Sequence, residues 1–178
     1  NQIERPEYFA FGLATTLQLG RASAAFGSSR NAWLYSGLVS RGFEPAPEHT
    51  LIASAAVSGQ HSDGRVRHHQ LGGKVKYFVP QNKHWLFYAS LSADTVKNPD
   101  PAEALLLGGD NGLRGYPLRY QSGERRALLT LEQRYYTDWF PFRLFHVAGA
   151  AFFDMGRTWG TDVTGATSDG LLKNFGIG

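Results

Sequence analysis

The feature that most constrains this chain is side-chain alternation held over unusually long runs. From Tyr8 to Gly20 the odd positions are Phe9, Phe11, Leu13, Thr15, Leu17 and Leu19. The even positions are Tyr8, Ala10, Gly12, Ala14, Thr16, Gln18 and Gly20. A period of two belongs to a β-strand, whose successive residues point to opposite faces; a helix would repeat its apolar residues three and four apart. The pattern recurs in Lys83–Asp94, where Trp85, Phe87, Ala89, Leu91 and Ala93 oppose His84, Leu86, Tyr88, Ser90, Ser92 and Asp94. It recurs in Arg125–Tyr136, with Ala127, Leu129, Leu131 and Tyr135 against Arg126, Thr130, Glu132 and Arg134. In Leu144–Met155 the apolar set is Phe145, Val147, Gly149, Ala151, Phe153 and Met155, against His146, Ala148, Ala150, Phe152 and Asp154. Weaker strands are expected at Asn31–Phe43, Thr50–Gly59 and Val66–Val79, and a last one from Leu171. Residues 1–178 therefore read as a single all-β region of about eight strands, without helix, repeat or linker.

The connections fit this reading. Glu44-Pro45-Ala46-Pro47 and Asn98-Pro99-Asp100-Pro101 cannot continue a ladder, Asp63-Gly64 is a hairpin signal, and Asp138-Trp139-Phe140-Pro141 is a tight reversal. The segment at about 96–121 is far longer than a hairpin loop, and loops of that length tend to carry function.

Two architectures can bury such strands. A soluble sandwich uses strands of about 5–6 residues with the apolar face inward. A transmembrane barrel uses strands of about 9–11 residues with the apolar face toward lipid. The runs here are about 10–13 residues long, and their polar faces carry Lys, Arg, Glu and Asp. A closed dry core would take up those charges at several kcal/mol each, on the order of the cost of burying an unpaired ion; a hydrated lumen takes them readily. Trp33, Tyr35, Trp85, Tyr135, Tyr136, Trp139 and Trp159 fall near strand ends, as interfacial girdles do. The expected fold is an antiparallel transmembrane β-barrel, with Lys74, Lys76, Arg126 and Arg134 lining its lumen. Mean hydropathy is −0.30, and no window approaches the ~18 unbroken apolar residues of a spanning helix. That excludes the helical route through a membrane, not the barrel route.

Several function classes find little support. With no cysteine among 178 residues, disulfide scaffolds, thiolate metal sites and Cys nucleophiles are excluded. The net charge of +3 rests on short groups such as Arg65–Arg67 and Arg125–Arg126, not on a nucleic-acid-binding face. His68 and His69, adjacent on a strand, point apart, and the other four histidines lack metal-ligand spacing, so neither metal nor cofactor is expected. No nucleophile elbow or phosphate loop is present. A hydrolase pairing His84 with Ser90 or Ser92 would rest on strand phase alone, and the chain is read as not an enzyme. No signal peptide follows Asn1, which points to a mature product or a piece of a longer chain.

The chemistry-bearing constellation lies late in the chain. The long loop contains Leu107-Gly108-Gly109-Asp110-Asn111-Gly112-Leu113-Arg114-Gly115-Tyr116. Leu131-Glu132-Gln133-Arg134-Tyr135-Tyr136 and Ala151-Phe152-Phe153-Asp154-Met155-Gly156 follow. Alternation places Glu132 and Asp154 on the same face of neighbouring strands. One arginine can hold two carboxylates in its planar fork better than a lysine could, and Gly115 is expected to let the loop tip turn. This order of motifs resembles the outer-membrane assembly and translocation superfamily, the BamA/TamA-like surface-antigen barrels. Arg114-Gly115-Tyr116 match the family's loop tip, with Leu113 where Val is frequent. Glu132 matches the acidic strand position, and Phe152, Asp154 and Gly156 match the F-x-D-x-G strand. The resemblance covers Leu107–Trp159 by motif and Tyr8–Asp94 only by architecture.

The resemblance implies a loop folded back into the lumen and locked by Arg114 on Glu132 and Asp154. It also implies a barrel of about sixteen strands, of which this chain supplies the middle-to-late ones. The location implied is the bacterial outer membrane; the partners implied are its lipid bilayer, client outer-membrane or secreted proteins and accessory assembly subunits. The alternatives are a two-partner secretion transporter exporting one dedicated substrate, a passive pore, and a soluble β-domain with an internal ligand.

Overall fold

A computed structural model describes residues 11–62, 64–99, 104–139, 141, 147–161 and 170–178. The chain is all-β, 67% strand, with a short 3-10 turn at Ala24–Phe26. The strands are β1 (Leu13–Ala22), β2 (Ala32–Phe43), β3 (Thr50–Ser62), β4 (Arg65–Pro80), β5 (Trp85–Lys97), β6 (Leu105–Leu107), β7 (Gln121–Gly123), β8 (Arg125–Tyr136), β9 (Ala148–Trp159) and β10 (Leu172–Ile177). Eight form one antiparallel meander in the order β1-β2-β3-β4-β5-β8-β9-β10, and β6 and β7 pair separately. The sheet is open, with β1 and β10 as its edges. Among the described residues no helix is long and apolar enough to cross a membrane, which says nothing of strands.

The strand expectations hold where they can be compared. The main-sheet strands other than β10 have 10–16 residues, twice the length usual in soluble sheets. Tyr8–Ala10, Asp63, Phe140, Phe145 and His146 lie outside the described residues. β3 runs on to Ser62, past the expected end at Gly59, and its register with β4 shifts between Ser58 and Gln60. His68, with φ 43°, takes up the extra residue. This bulge interrupts the alternation that the sequence pattern needs to follow a strand.

Cross-strand register sorts the side chains into two faces. One row joins Tyr88, Glu132 and Phe152; the next joins Ser90, Thr130, Asp154 and Asn174; a third joins Asp94, Arg126 and Thr158. The segment from residue 104 to 124 covers this side, called the loop face here. The opposite, bare face presents Leu17, Leu19, Val39, Leu71, Leu91, Phe175 and Ile177, all exposed, and no strand residue described there is Asp or Glu. The buried core is small. Leu107 and Leu113 from the long segment meet Leu172 of β10, with Tyr116, Tyr120 and Leu128 packed around them.

Candidate functional site

The site forms where the long segment lies on β8, β9 and β10. The segment has structure of its own: β6 and β7 pair from Leu105↔Gly123 to Leu107↔Gln121. Backbone bonds tighten its tip, with Leu113 N donating to Gly108 O at 3.0 Å and Tyr116 N to Leu113 O at 3.0 Å. Leu113 is fully buried and brings its neighbour Arg114 over the strands. Gly112 has φ 105°, and a Cβ there would collide with Leu128. The sharp turn expected of Gly115 therefore belongs to Gly112, three residues earlier. Gly115 is not in the left-handed region; its bare Cα gives clearance, since a Cβ would sit 3.0 Å from Asn174 Cβ.

Arg114 donates through Nε and Nη2 to Asp154 Oδ2 and Oδ1, both at 3.0 Å, and its Nη1 lies 2.9 Å from Glu132 Oε1. The guanidinium sits 3.7 Å from the centroid of the Phe152 ring, which is directly opposite Glu132 in the register. Asp154 is completely buried and Glu132 nearly so, whereas the Arg114 side chain keeps 38% exposure. The hydrogen bonds from Arg114 to Asp154, reinforced by the charges of Asp154 and Glu132, raise the arginine pKa above its ordinary value despite the opposing effect of burial. For such a cation the stabilisation is complete below the unfolded-state pKa and is lost only as pH rises through the higher folded value. On the arginine side the contact is insensitive to pH throughout the neutral range.

Other expected residues surround this fork. Tyr116 Oη donates to Lys173 O at 3.1 Å and accepts from Lys173 N at 3.3 Å. Gly156 faces the segment: a Cβ there would lie 3.1 Å from Leu107 Cδ2 and 3.0 Å from Ala127 O. Arg134 pairs with Glu132 at 2.6 Å and stacks over Tyr88. Lys74 and Lys76 stand on the same sheet face, at the level of Ser92 and Ser90 and away from the fork.

Four participants escape a reading of motifs. Asn174 Nδ2 donates to Asp154 Oδ2 at 3.2 Å, so the carboxylate accepts three hydrogen bonds. Arg126 makes a second attachment, forking from Nε and Nη2 onto Asp94 Oδ2 (3.1 and 2.8 Å) while Nη1 donates to Leu106 O at 2.9 Å. Gln121 Nε2 donates to Gly170 O at 2.9 Å, and its Oε1 accepts from Thr158 N at 3.0 Å. Asn174 and the Arg126–Asp94 pair had one available signal, a strand phase shared with Asp154 or with each other. Gln121 had none.

The histidines stay apart. His69 Nδ1 meets Tyr35 Oη at 2.7 Å, His49 Nδ1 meets Tyr77 Oη at 2.6 Å, and His84 Nδ1 meets Tyr136 O at 2.9 Å. Ser90 lies six residues along β5 from His84, about 20 Å at the rise of a strand. Among the described residues no group of His, Asp or Glu is arranged to hold a metal. In comparisons with known proteins, no family model, no curated protein and no solved structure matches the chain.

Proposed function

We propose that the chain is part of an outer-membrane β-barrel resembling the BamA/TamA-like assembly and translocation family. In this reading it assists the insertion or passage of other proteins, is not an enzyme, and keeps the 98–124 segment inside the lumen. The observation that carries the proposal is the Arg114 fork. A loop-tip arginine 18 residues before one carboxylate and 40 before the other reaches both, through three donors at 2.9–3.0 Å. The motif order that suggested the resemblance anticipated those three partners.

Further observations support a membrane setting. The strands are long enough to span a hydrocarbon layer of about 30 Å when tilted. The bare face is a continuous apolar surface of a kind that soluble monomers rarely leave open, since exposed patches beyond a few hundred Å² mark interaction sites, roughly speaking. Trp33, Trp159, Trp85 and Tyr135 flank the apolar residues at opposite strand ends, where amphipathic rings favour a membrane boundary. The open edges β1 and β10 would pair with further strands of the barrel.

The test is protease access to the 98–124 segment in intact cells expressing the full protein, read beside outer-membrane protein assembly. Arg114→Ala and Asp154→Ala are each expected to increase cleavage and reduce assembly. Wild-type behaviour of both variants in both readouts would overturn the proposal.

A further inference from the structure

On the loop face Arg114, Arg126 and Arg134 pair with carboxylates, while Lys74 and Lys76 have no carboxylate partner among the described residues. On the bare face Arg21, Lys97, Arg125, Arg157 and Lys173 stand in strand segments adjoining the connections 23–31, 98–124 and 160–171. All five lie at one end of the sheet, and none has a carboxylate partner among the described residues. The opposite end of that face carries Arg41 as its one described strand cation. Arg21 lies over the Trp33 ring at 5.3 Å and Arg157 over the Trp159 ring at 5.6 Å. These contacts seat each guanidinium beside an indole at the border of the apolar band.

We propose that this end of the bare face binds the phosphate groups of anionic lipids in the leaflet on the long-segment side. The inference rests on the barrel reading, which turns the face toward lipid. The chemistry follows from complementarity. A row of cations with no carboxylate partner among the described residues, bordering an apolar surface, matches a phosphate attached to acyl chains, and each such cation near an anionic surface contributes about 1 kcal/mol, or about fivefold in binding. A guanidinium fork suits the paired oxygens of a phosphate.

The test titrates the detergent-solubilised full-length protein with short-chain phosphatidic acid and, separately, with inorganic phosphate. The wild type is expected to bind the lipid and not the free ion. Lys97→Gln, Arg125→Gln and Arg157→Gln combined are expected to weaken lipid binding by about a hundredfold, while Arg41→Gln leaves it unchanged. If the triple variant does not fold, Lys97→Gln alone is read, with about a fivefold loss expected. Equal lipid binding by the wild type and the variant that is read would overturn the inference, as would equal affinity for inorganic phosphate. The barrel reading is checked first and separately: a monodisperse, detergent-free monomer would end that reading before any lipid is added.

Discussion

The two halves of the sheet share strand length and alternation but differ in what they do with their polar face. On β1–β3 the loop-face residues are small or neutral, among them Thr16, Gln18, Ser36, Ser40, Ser54 and Ser58. On β5, β8 and β9 the same face carries Asp94, Arg126, Glu132, Arg134 and Asp154, joined to one another and to the overlying segment. On β5, β8 and β9 charge is therefore placed where a partner segment lies to organise it, and β1–β3 omit it. A hydrated surface alone would not require that division. Serines and glutamines keep β1–β3 wettable without specifying a partner, whereas forked ion pairs fix one position of one segment.

The sharpest way to test that difference is a double-mutant cycle on Arg114 and Asp154, read by hydrogen exchange at the Leu113–Tyr116 amides. A dry buried pair that loses one partner costs about 3–5 kcal/mol. With the arginine side chain 38% exposed, a coupling of about 2–3 kcal/mol is expected after discounting for solvent. A coupling near zero would reduce the fork to a surface ion pair. The next effect in size is Gly112→Ala, which combines a left-handed φ with a collision at Leu128 and should cost about 2 kcal/mol in the same measurement. The smallest is on the other half. Gln18→Ala removes an exposed 3.3 Å bond to Ser36 and should change thermal stability by under about 0.5 kcal/mol. A larger loss there would mean that the neutral half is specified as tightly as the charged one.

The sheet was legible in the sequence because alternation is enforced wherever the two faces meet different surroundings. β8 ends where the pattern ends, at Tyr136, and the residues of the fork share the expected phase. Three features were hidden for different physical reasons. The bulge at His68 flips the phase of β4, so Arg65 and Arg67 share a face with the even-numbered positions that follow it. The β6–β7 pairing involves three residues on each strand, too few for any period to emerge. Arg126 carried a visible charge and phase, but its second partner is the carbonyl of Leu106, and a carbonyl looks the same under every side chain.

That last point bears on how the long segment can change while its position stays the same. Arg126 grips a main-chain oxygen at Leu106, Tyr116 binds the main chain of Lys173, and Gln121 bonds the main chain at Gly170 and Thr158. At Leu106 and Lys173 the partner's side chain is free to vary, provided the backbone path is kept. The Arg114 fork is different, because both of its ends are side chains. The segment is thus held by anchors indifferent to their partner's identity and by one that reads it, so drift can accumulate around the former while the latter keeps the address.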